Sequence, residues 1–229
     1  MRSTIEVLCD FDGTISPVDT VDLLLERLAD PAWRMLEEQW VRGEISSREC
    51  MAGQIPLLRG GWRAIEKILA GVTLAPSFAS FASWCREARI PLRIVSEGLD
   101  RVIEHLLGRD GITVDQIWAS HLREHAGRRL SLSFPETPRT AGCGAALCKC
   151  ALFPAETPRP WRVLIGDGRS DFCCASRADL VFACSKLSVH CKQNDVPFVT
   201  FTGFDGVRQL LEQRLGAARR DEAVPRLGA

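Results

Sequence analysis

Lysine is scarce in this sequence. Only Lys67, Lys149, Lys186 and Lys192 occur among 29 basic residues, the rest being arginine, so chemistry that needs a compact ammonium has few candidates. A surplus of either charge is also absent, because 29 Lys plus Arg meet 29 Asp plus Glu. That balance argues against a domain that binds by neutralising phosphate backbones and against an acidic solvating tail, so no nucleic-acid partner is expected. No apolar run approaches the roughly 20 residues of a membrane-spanning helix, and no membrane partner is expected either. The first residues, Met-Arg-Ser-Thr-Ile-Glu, enter a strand-like run that carries a charge and lacks the hydrophobic stretch of a signal peptide. The expected compartment is the cytoplasm.

What is present is ordinary in bulk: 46% hydrophobic and 25% charged residues, the balance of a globular chain long enough for one domain with an insertion or two small ones. Short β-branched runs alternate with helical stretches, the pattern of an α/β protein with a mostly parallel sheet. The strands fall at Ile5–Cys9, Leu92–Val95, Gln116–Ala119, Val163–Ile165, Leu180–Ala183 and Phe198–Phe201, with helices at Asp100–Leu107 and Phe172–Ala178. Between the first two strands lie helical segments at Val21–Leu28, Ala32–Arg42, Ser47–Leu58, Trp62–Leu69 and Phe78–Arg89, too much for one crossover. The last can serve as the crossover; the others predict a helical cap. Residues 1–15 and 86–216 are thus expected to form a Rossmann-like core, 16–85 the cap inserted after the first strand, and 217–229 a flexible tail. Leu122 opens a hairpin that turns at His125-Ala126-Gly127-Arg128 and passes into a segment, up to Pro160, rich in Pro, Gly, Thr and Cys. Loops of that length tend to be functional or disordered.

Three strand ends carry chemistry. Cys9-Asp10-Phe11-Asp12-Gly13-Thr14 puts two carboxylates just past the first strand, in the crevice where open α/β sheets bind ligands. An EF-hand loop is excluded, since its positions 6 and 12 would be Ile15 and Val21. Ile165-Gly166-Asp167-Gly168-Arg169-Ser170-Asp171 places two more acids where a strand gives way to a helix. Alone, Asp171 reads equally as a helix cap and Asp167 as a turn former. Together with Asp10 and Asp12, they form an acidic group that needs a cation, and all-oxygen ligation favours a hard ion such as Mg²⁺. At the third end, Ser96 and the N–H groups of Glu97 and Gly98 could bind phosphate oxygens, although Ser96 alone reads as a cap for the next helix. Lys149, upstream of the Asp167 strand, is a candidate partner for carboxylates and phosphate.

In order, Asp10-Phe11-Asp12-Gly13-Thr14, Ser96, Lys149 and Gly166-Asp167 to Asp171 resemble the four motifs of the haloacid dehalogenase (HAD) superfamily of phosphatases. The helical insertion resembles the subgroup that includes phosphoserine phosphatase. Asp19, Pro31-Ala32-Trp33 and the Cys-rich approach to Lys149 look like its methionine-salvage branch, which acts on a small thioether-bearing phosphate ester. The resemblance implies Asp10 as nucleophile forming an aspartyl-phosphate, and Asp12 as general acid, then base. It implies Mg²⁺ held by Asp10, the Asp12 carbonyl and Asp167, with Asp171 orienting Lys149 or the metal's water. Phosphate would be bound by Phe11, Ser96, Glu97, Gly98 and Lys149, and the substrate's remainder met by Asp19 in the cap.

Asp19 stands where the phosphoserine enzymes carry a Glu that handles the substrate amine, and Trp33, Trp40 and Leu57 are expected near the cap entrance. Both features suit a less cationic, partly apolar substrate, while the tryptophans read equally as cap core. Glu97 stands where many relatives have Gly, so it either points away or discriminates between substrates. The alternatives are phosphoserine or a phosphorylated amino alcohol as substrate and, from another class, a non-catalytic metal- or partner-binding module. Either a monomer or a homodimer is compatible with the pattern. Cys143, Cys148 and Cys150 lie close in sequence, with Cys173 and Cys174 after the acidic motif. Without a Cys-x-x-Cys pair, reduced thiols packing a loop are favoured over tetrahedral zinc.

Overall fold

The computed structural model describes residues 5–136, 140, 143–152 and 160–222, with side chains as far as residue 216. Its strands are β1 (Ile5–Cys9), β2 (Leu92–Leu99), β3 (Gln116–His125), β4 (Arg129–Ser133), β5 (Trp161–Gly166), β6 (Leu180–Ala183) and β7 (Val199–Thr200). They form one sheet in the order β4-β3-β2-β1-β5-β6-β7, parallel throughout except for the β3–β4 hairpin. β1 lies at the centre and is buried at every residue, so its sequence shows no polar alternation. Glu6, its one charge, accepts from Arg162 Nε of β5 and Arg93 Nη1 of β2, one guanidinium from each neighbouring strand.

The insertion after β1 folds into α1 (Thr20–Leu28), α2 (Trp33–Val41), α3 (Ser47–Gln54) and α4 (Gly61–Leu69). Local signals set these boundaries. Asp19 caps α1 by accepting from Asp22 N–H, and Ser46 with Glu49 forms a full capping box at α3. Gly60, at φ +85°, admits the left-handed turn that starts α4. Trp62, Ile65 and Leu69 then recur on the buried face of α4.

The next helix, α5 (Phe78–Glu87), is the crossover, and it packs on the sheet side of the molecule. Its Phe78 and Phe81 meet Phe204 at ring-centroid distances of 4.9 and 5.3 Å. Phe204 opens α9 (Phe204–Glu222), which follows α6 (Asp100–Arg109), α7 (Phe172–Ala175) and α8 (Ser185–Gln193). The last two long helices have no counterpart among the expected elements. α9 continues past Ala217, where a tail was expected, and residues 223–229 lie outside the described residues. Part of the loop between β4 and β5 lies outside them too. No helix among the described residues is long and apolar enough to cross a membrane.

β2 and β3 both run longer than expected. The β2–β3 register slips between Val95 and Leu99, so Ser96-Glu97-Gly98 forms an irregularity at the carboxyl end of the ladder, a device that re-aims side chains. The ends of β1, β2 and β5 therefore open toward the same crevice beneath the cap.

Phe204→Ala removes the ring that joins α5 to α9. It is expected to lower the unfolding free energy by about 3–5 kcal/mol, read as a lower urea midpoint with circular dichroism at zero denaturant unchanged.

Candidate active site

Asp10 leaves β1 with its N–H still bonded to Ile165 O at 2.8 Å, so the sheet itself fixes where its carboxylate stands. The chain then turns tightly, Phe11 O accepting from the N–H groups of Ile15 and Ser16, both at 2.8 Å. Gly13 takes φ +76°, and a Cβ there would collide with the Asp167 carboxylate. Glycine is thus required twice over, by backbone conformation and by approach of the two strand ends.

The carboxylates of Asp10, Asp167 and Asp171 lie within 4.8 Å of one another. Lys149 Nζ, 1% exposed, stands 2.8 Å from Asp10 Oδ2 and 2.7 Å from Asp171 Oδ1. Asp171 also accepts from Gly168 N–H at 3.3 Å, and a Cβ at Gly166 would run into its carboxylate. Asp12 faces another way: its Oδ1 accepts from both Thr20 N–H and Thr20 Oγ1 at 2.8 Å. A Cβ on Gly98 would stand 2.6 Å from Asp12 Oδ2, which places that oxygen on the β2 side of the crevice.

Burial dominates the titration of these acids. It pushes Asp12 up to about 8, with Asp19's charge adding to it and the Thr20 bonds opposing. Burial, then the Asp10 charge, raises Asp167 to about 6 and Asp171 to about 8, with Lys149 opposing both. For Lys149 burial favours the neutral amine, but the Asp10 and Asp171 charges outweigh it and hold the ammonium protonated. The cluster thus sets three carboxylates against one ammonium. Among the described residues the Asp167 carboxylate has no hydrogen bond or ion pair, and the donors are all oxygen. A hard divalent cation such as Mg²⁺ fits both facts.

Asp10, Asp12, Asp19, Ser96, Glu97, Gly98 and Asp167 line one cavity of about 560 Å³ between core and cap. Lys149 and Asp171 are buried beside it, the lysine bonded to Asp10 of the lining and Asp171 bonded to the lysine. Phe11 is fully buried in the core, so only its backbone can serve the site, and its N–H donates to Asp10 Oδ1 at 2.8 Å. Ser96 does not cap α6, whose N-cap is Leu99 with no side-chain bond. Instead Ser96 Oγ accepts from Gly98 N–H at 2.9 Å, leaving its own O–H to donate. Glu97 points into the cavity. Its Oε2 accepts from Ser47 Oγ of the cap at 2.8 Å, Oε1 is buried without a hydrogen bond among the described residues, and burial raises its pKa.

On the cap side Trp40 lines the cavity, with the Arg169 guanidinium 5.7 Å over its ring. The other two expected entrance residues go elsewhere, Trp33 into the buried core and Leu57 against it. The apolar wall comes instead from Val21, Cys50 and Met51. Asp22, Glu37 and Lys186 complete the rim and also escaped the motif reading. Ser47, Cys50, Met51 and Gln54 share one helical face at spacings 0, 3, 4 and 7; periodicity marks that stripe but not whether core or cavity covers it.

A family model for haloacid dehalogenase-like hydrolases matches residues 7–176. The chain belongs to the HAD family. Among relatives of this HAD chain, the 2-hydroxy-3-keto-5-methylthiopentenyl-1-phosphate phosphatase of Brevibacillus brevis is 32% identical over 219 residues, covering 93% of this chain and 97% of that protein. The protein of the same name from Geobacillus thermodenitrificans is 27% identical over 219 residues, covering 93% and 98%. A solved phospho-aspartyl intermediate analogue of phosphoserine phosphatase aligns at TM-score 0.65 and 17% identity, over 93% of this chain and 99% of that one. A probable phosphoserine phosphatase from Vibrio cholerae, unliganded, aligns at 0.71 and 15%, over 96% and 68%. These structures establish the fold. The HAD chain is an enzyme, a phosphatase, as its motifs implied.

Because Asp12, Asp167 and Asp171 titrate higher in the folded protein than the ordinary carboxylate value near 4, the folded state holds protons that the unfolded chain has released. The metal-free protein should lose stability as pH rises from about 4 to about 8, and Mg²⁺ should flatten that slope by binding the ionised acids. Melting temperature against pH at constant ionic strength, with and without Mg²⁺, reads both effects. Curves that coincide would remove the cation from this cluster.

Proposed function

We propose that this phosphatase hydrolyses 2-hydroxy-3-keto-5-methylthiopentenyl-1-phosphate in methionine salvage, with Mg²⁺ and through an aspartyl-phosphate on Asp10. The observation that carries the chemistry is the pairing of Asp10, held at 2.8 Å by the buried Lys149 ammonium, with Asp12, whose carboxyl burial keeps near pKa 8 on the same cavity.

An Asp10 carboxylate oxygen attacks phosphorus as the ester P–O bond breaks. Asp12, protonated, gives its proton to the departing alkoxide oxygen. In the second half, ionised Asp12 takes a proton from a water that attacks phosphorus; the Asp10–phosphorus bond breaks and inorganic phosphate leaves. Ser96 O–H and the Lys149 ammonium meet phosphate oxygens, and Asp171 orients Lys149. Mg²⁺, held by Asp10, the Asp12 carbonyl and Asp167, would supply charge neutralisation that lets a carboxylate approach a dianionic phosphate. Stabilising charge in this way, rather than covalent novelty, is what phosphoryl transfer asks of an enzyme.

Support for the substrate is the 32% identity across nearly the whole length of the Brevibacillus enzyme and a wall of Val21, Trp40 and Met51 suited to a thioether end. Asp19 supports it as well, since its carboxylate is engaged as the α1 cap. The acidic rim of Asp22 and Glu37 favours a second reading, phosphoserine or a phosphorylated amino alcohol, because it could hold an ammonium.

A panel of phosphate esters compared by kcat/KM decides between them. The thioether substrate is expected to exceed phosphoserine by at least roughly tenfold, the discrimination an apolar pocket provides; the reverse order would establish the second reading. Asp10→Asn is expected to lose turnover by several orders of magnitude with unchanged circular dichroism, and retained turnover would defeat the mechanism.

A further inference from the structure

The loop that carries Lys149 also gathers thiols. Cys143, Cys148 and Cys150 have their Sγ atoms within 4.8 Å of one another, the last two 3.3 Å apart. A zinc ion bonded to sulfur at about 2.3 Å in a tetrahedron keeps its sulfurs about 3.8 Å apart, so three vertices of such a sphere are nearly in place. A fourth thiol is adjacent: Cys173, the second residue of α7, interacts with both the thiol and the N–H of Cys150. The surroundings are polar where ligating thiolates need them. Thr140 N–H donates to Cys148 Sγ at 3.3 Å, and Thr140 Oγ1 lies 3.1 Å from Cys150 Sγ, contacts of the kind that orient metal ligands. Cys148 and Cys150 pack against Leu147 and Leu164 of an apolar cluster, but there they meet other thiols, whereas Cys85 sits singly in the core among Phe81, Trp84 and other apolar residues.

We propose that Cys143, Cys148, Cys150 and Cys173 form a tetrahedral zinc site that pins the Lys149 loop to α7. The short 3-10 turn Lys149–Leu152 explains the coupling. Cys148 and Cys150 turn their sulfurs toward each other, while the residue between them sends its ammonium to Asp10 and Asp171. A cation gripping both flanking sulfurs fixes that residue's backbone on either side. The two metal sites sort by chemistry, since thiolates select zinc and the all-oxygen cluster selects magnesium. The loop reaches the cap as well, through Arg48 N–H to Gly144 O at 3.3 Å. Zinc binding itself is independent of the reading as a salvage phosphatase; only its effect on turnover rests on the role of Lys149.

Elemental analysis tests the site on the full chain, purified without chelator from zinc-supplemented cells and exchanged into Mg²⁺ buffer. About one zinc per chain is expected. Cys148→Ser should lose the zinc and about tenfold or more in kcat/KM, whereas Cys85→Ser, on α5 away from the cluster, should keep both. Wild-type protein stripped by chelator and titrated with Co²⁺ should develop a thiolate-to-cobalt charge-transfer band, a readout that stands even if Cys148→Ser fails to fold. Zinc no higher than in Cys148→Ser, with no cobalt–thiolate band in the wild type, overturns the site. Zinc bound in the wild type and lost with undiminished turnover in a folded Cys148→Ser overturns the pinning. A failed substrate assignment would leave the zinc content unchanged.

Discussion

At the floor of the crevice the Lys149 ammonium lies between Asp10 and Asp171, and all three groups are withdrawn from water. Taking charges out of water costs several kcal/mol each, and mutual attraction repays this only with good geometry. The rest of the molecule supplies that geometry. β1 and β5 are adjacent in the sheet, so Asp10 and the turn bearing Asp167 and Asp171 emerge side by side. Gly13 and Gly166 remove the Cβ atoms that would hold them apart. The lysine comes from outside the sheet, at the start of the 3-10 turn Lys149–Leu152 between β4 and β5.

The cap completes what the sheet begins. Asp12 is held by Thr20, the first residue of α1, so the carboxyl at one strand end is positioned by the element that starts the cap. Glu97, at another strand end, bonds across the cavity to Ser47 of α3. Trp40 of α2 stacks with Arg169, from the turn after β5. Each of these contacts joins the carboxyl end of a core strand, or the turn after it, to the cap, so core and cap are tied together around the one cavity.

Much of this was legible in the sequence. β1 and β6 begin and end where their apolar runs do, because strands buried on both faces have no other signal to dilute them. The carboxylates of Asp10, Asp12, Asp167 and Asp171 were visible because acids at strand ends are hard to explain by packing. α8 and α9 were missed, since both are short of apolar residues and bury only one narrow stripe, Leu187 and Cys191 in the first and Phe204, Val207 and Leu211 in the second. Trp33 and Trp40 illustrate the same limit within the cap. Both lie on α2 and look alike in sequence, yet one fills the core and the other lines the cavity, because the rotation of the helix against its neighbours decides which face is covered.

The sequence by itself determined the chemistry that is available: which acids stand at strand ends, that one lysine precedes the last acidic motif, and that helices interrupt the sheet after its first strand. These depend on residue type and local spacing, which the chain carries explicitly. Only the tertiary structure decided how the groups are paired. That Lys149 bridges Asp10 and Asp171, that Thr20 holds the Asp12 side chain, that Glu97 turns inward, and that Cys173 reaches Cys150 all require contacts between segments 8 to more than 100 residues apart. Such contacts are set by strand order and helix rotation, and nothing in the local pattern of one segment encodes the position of another.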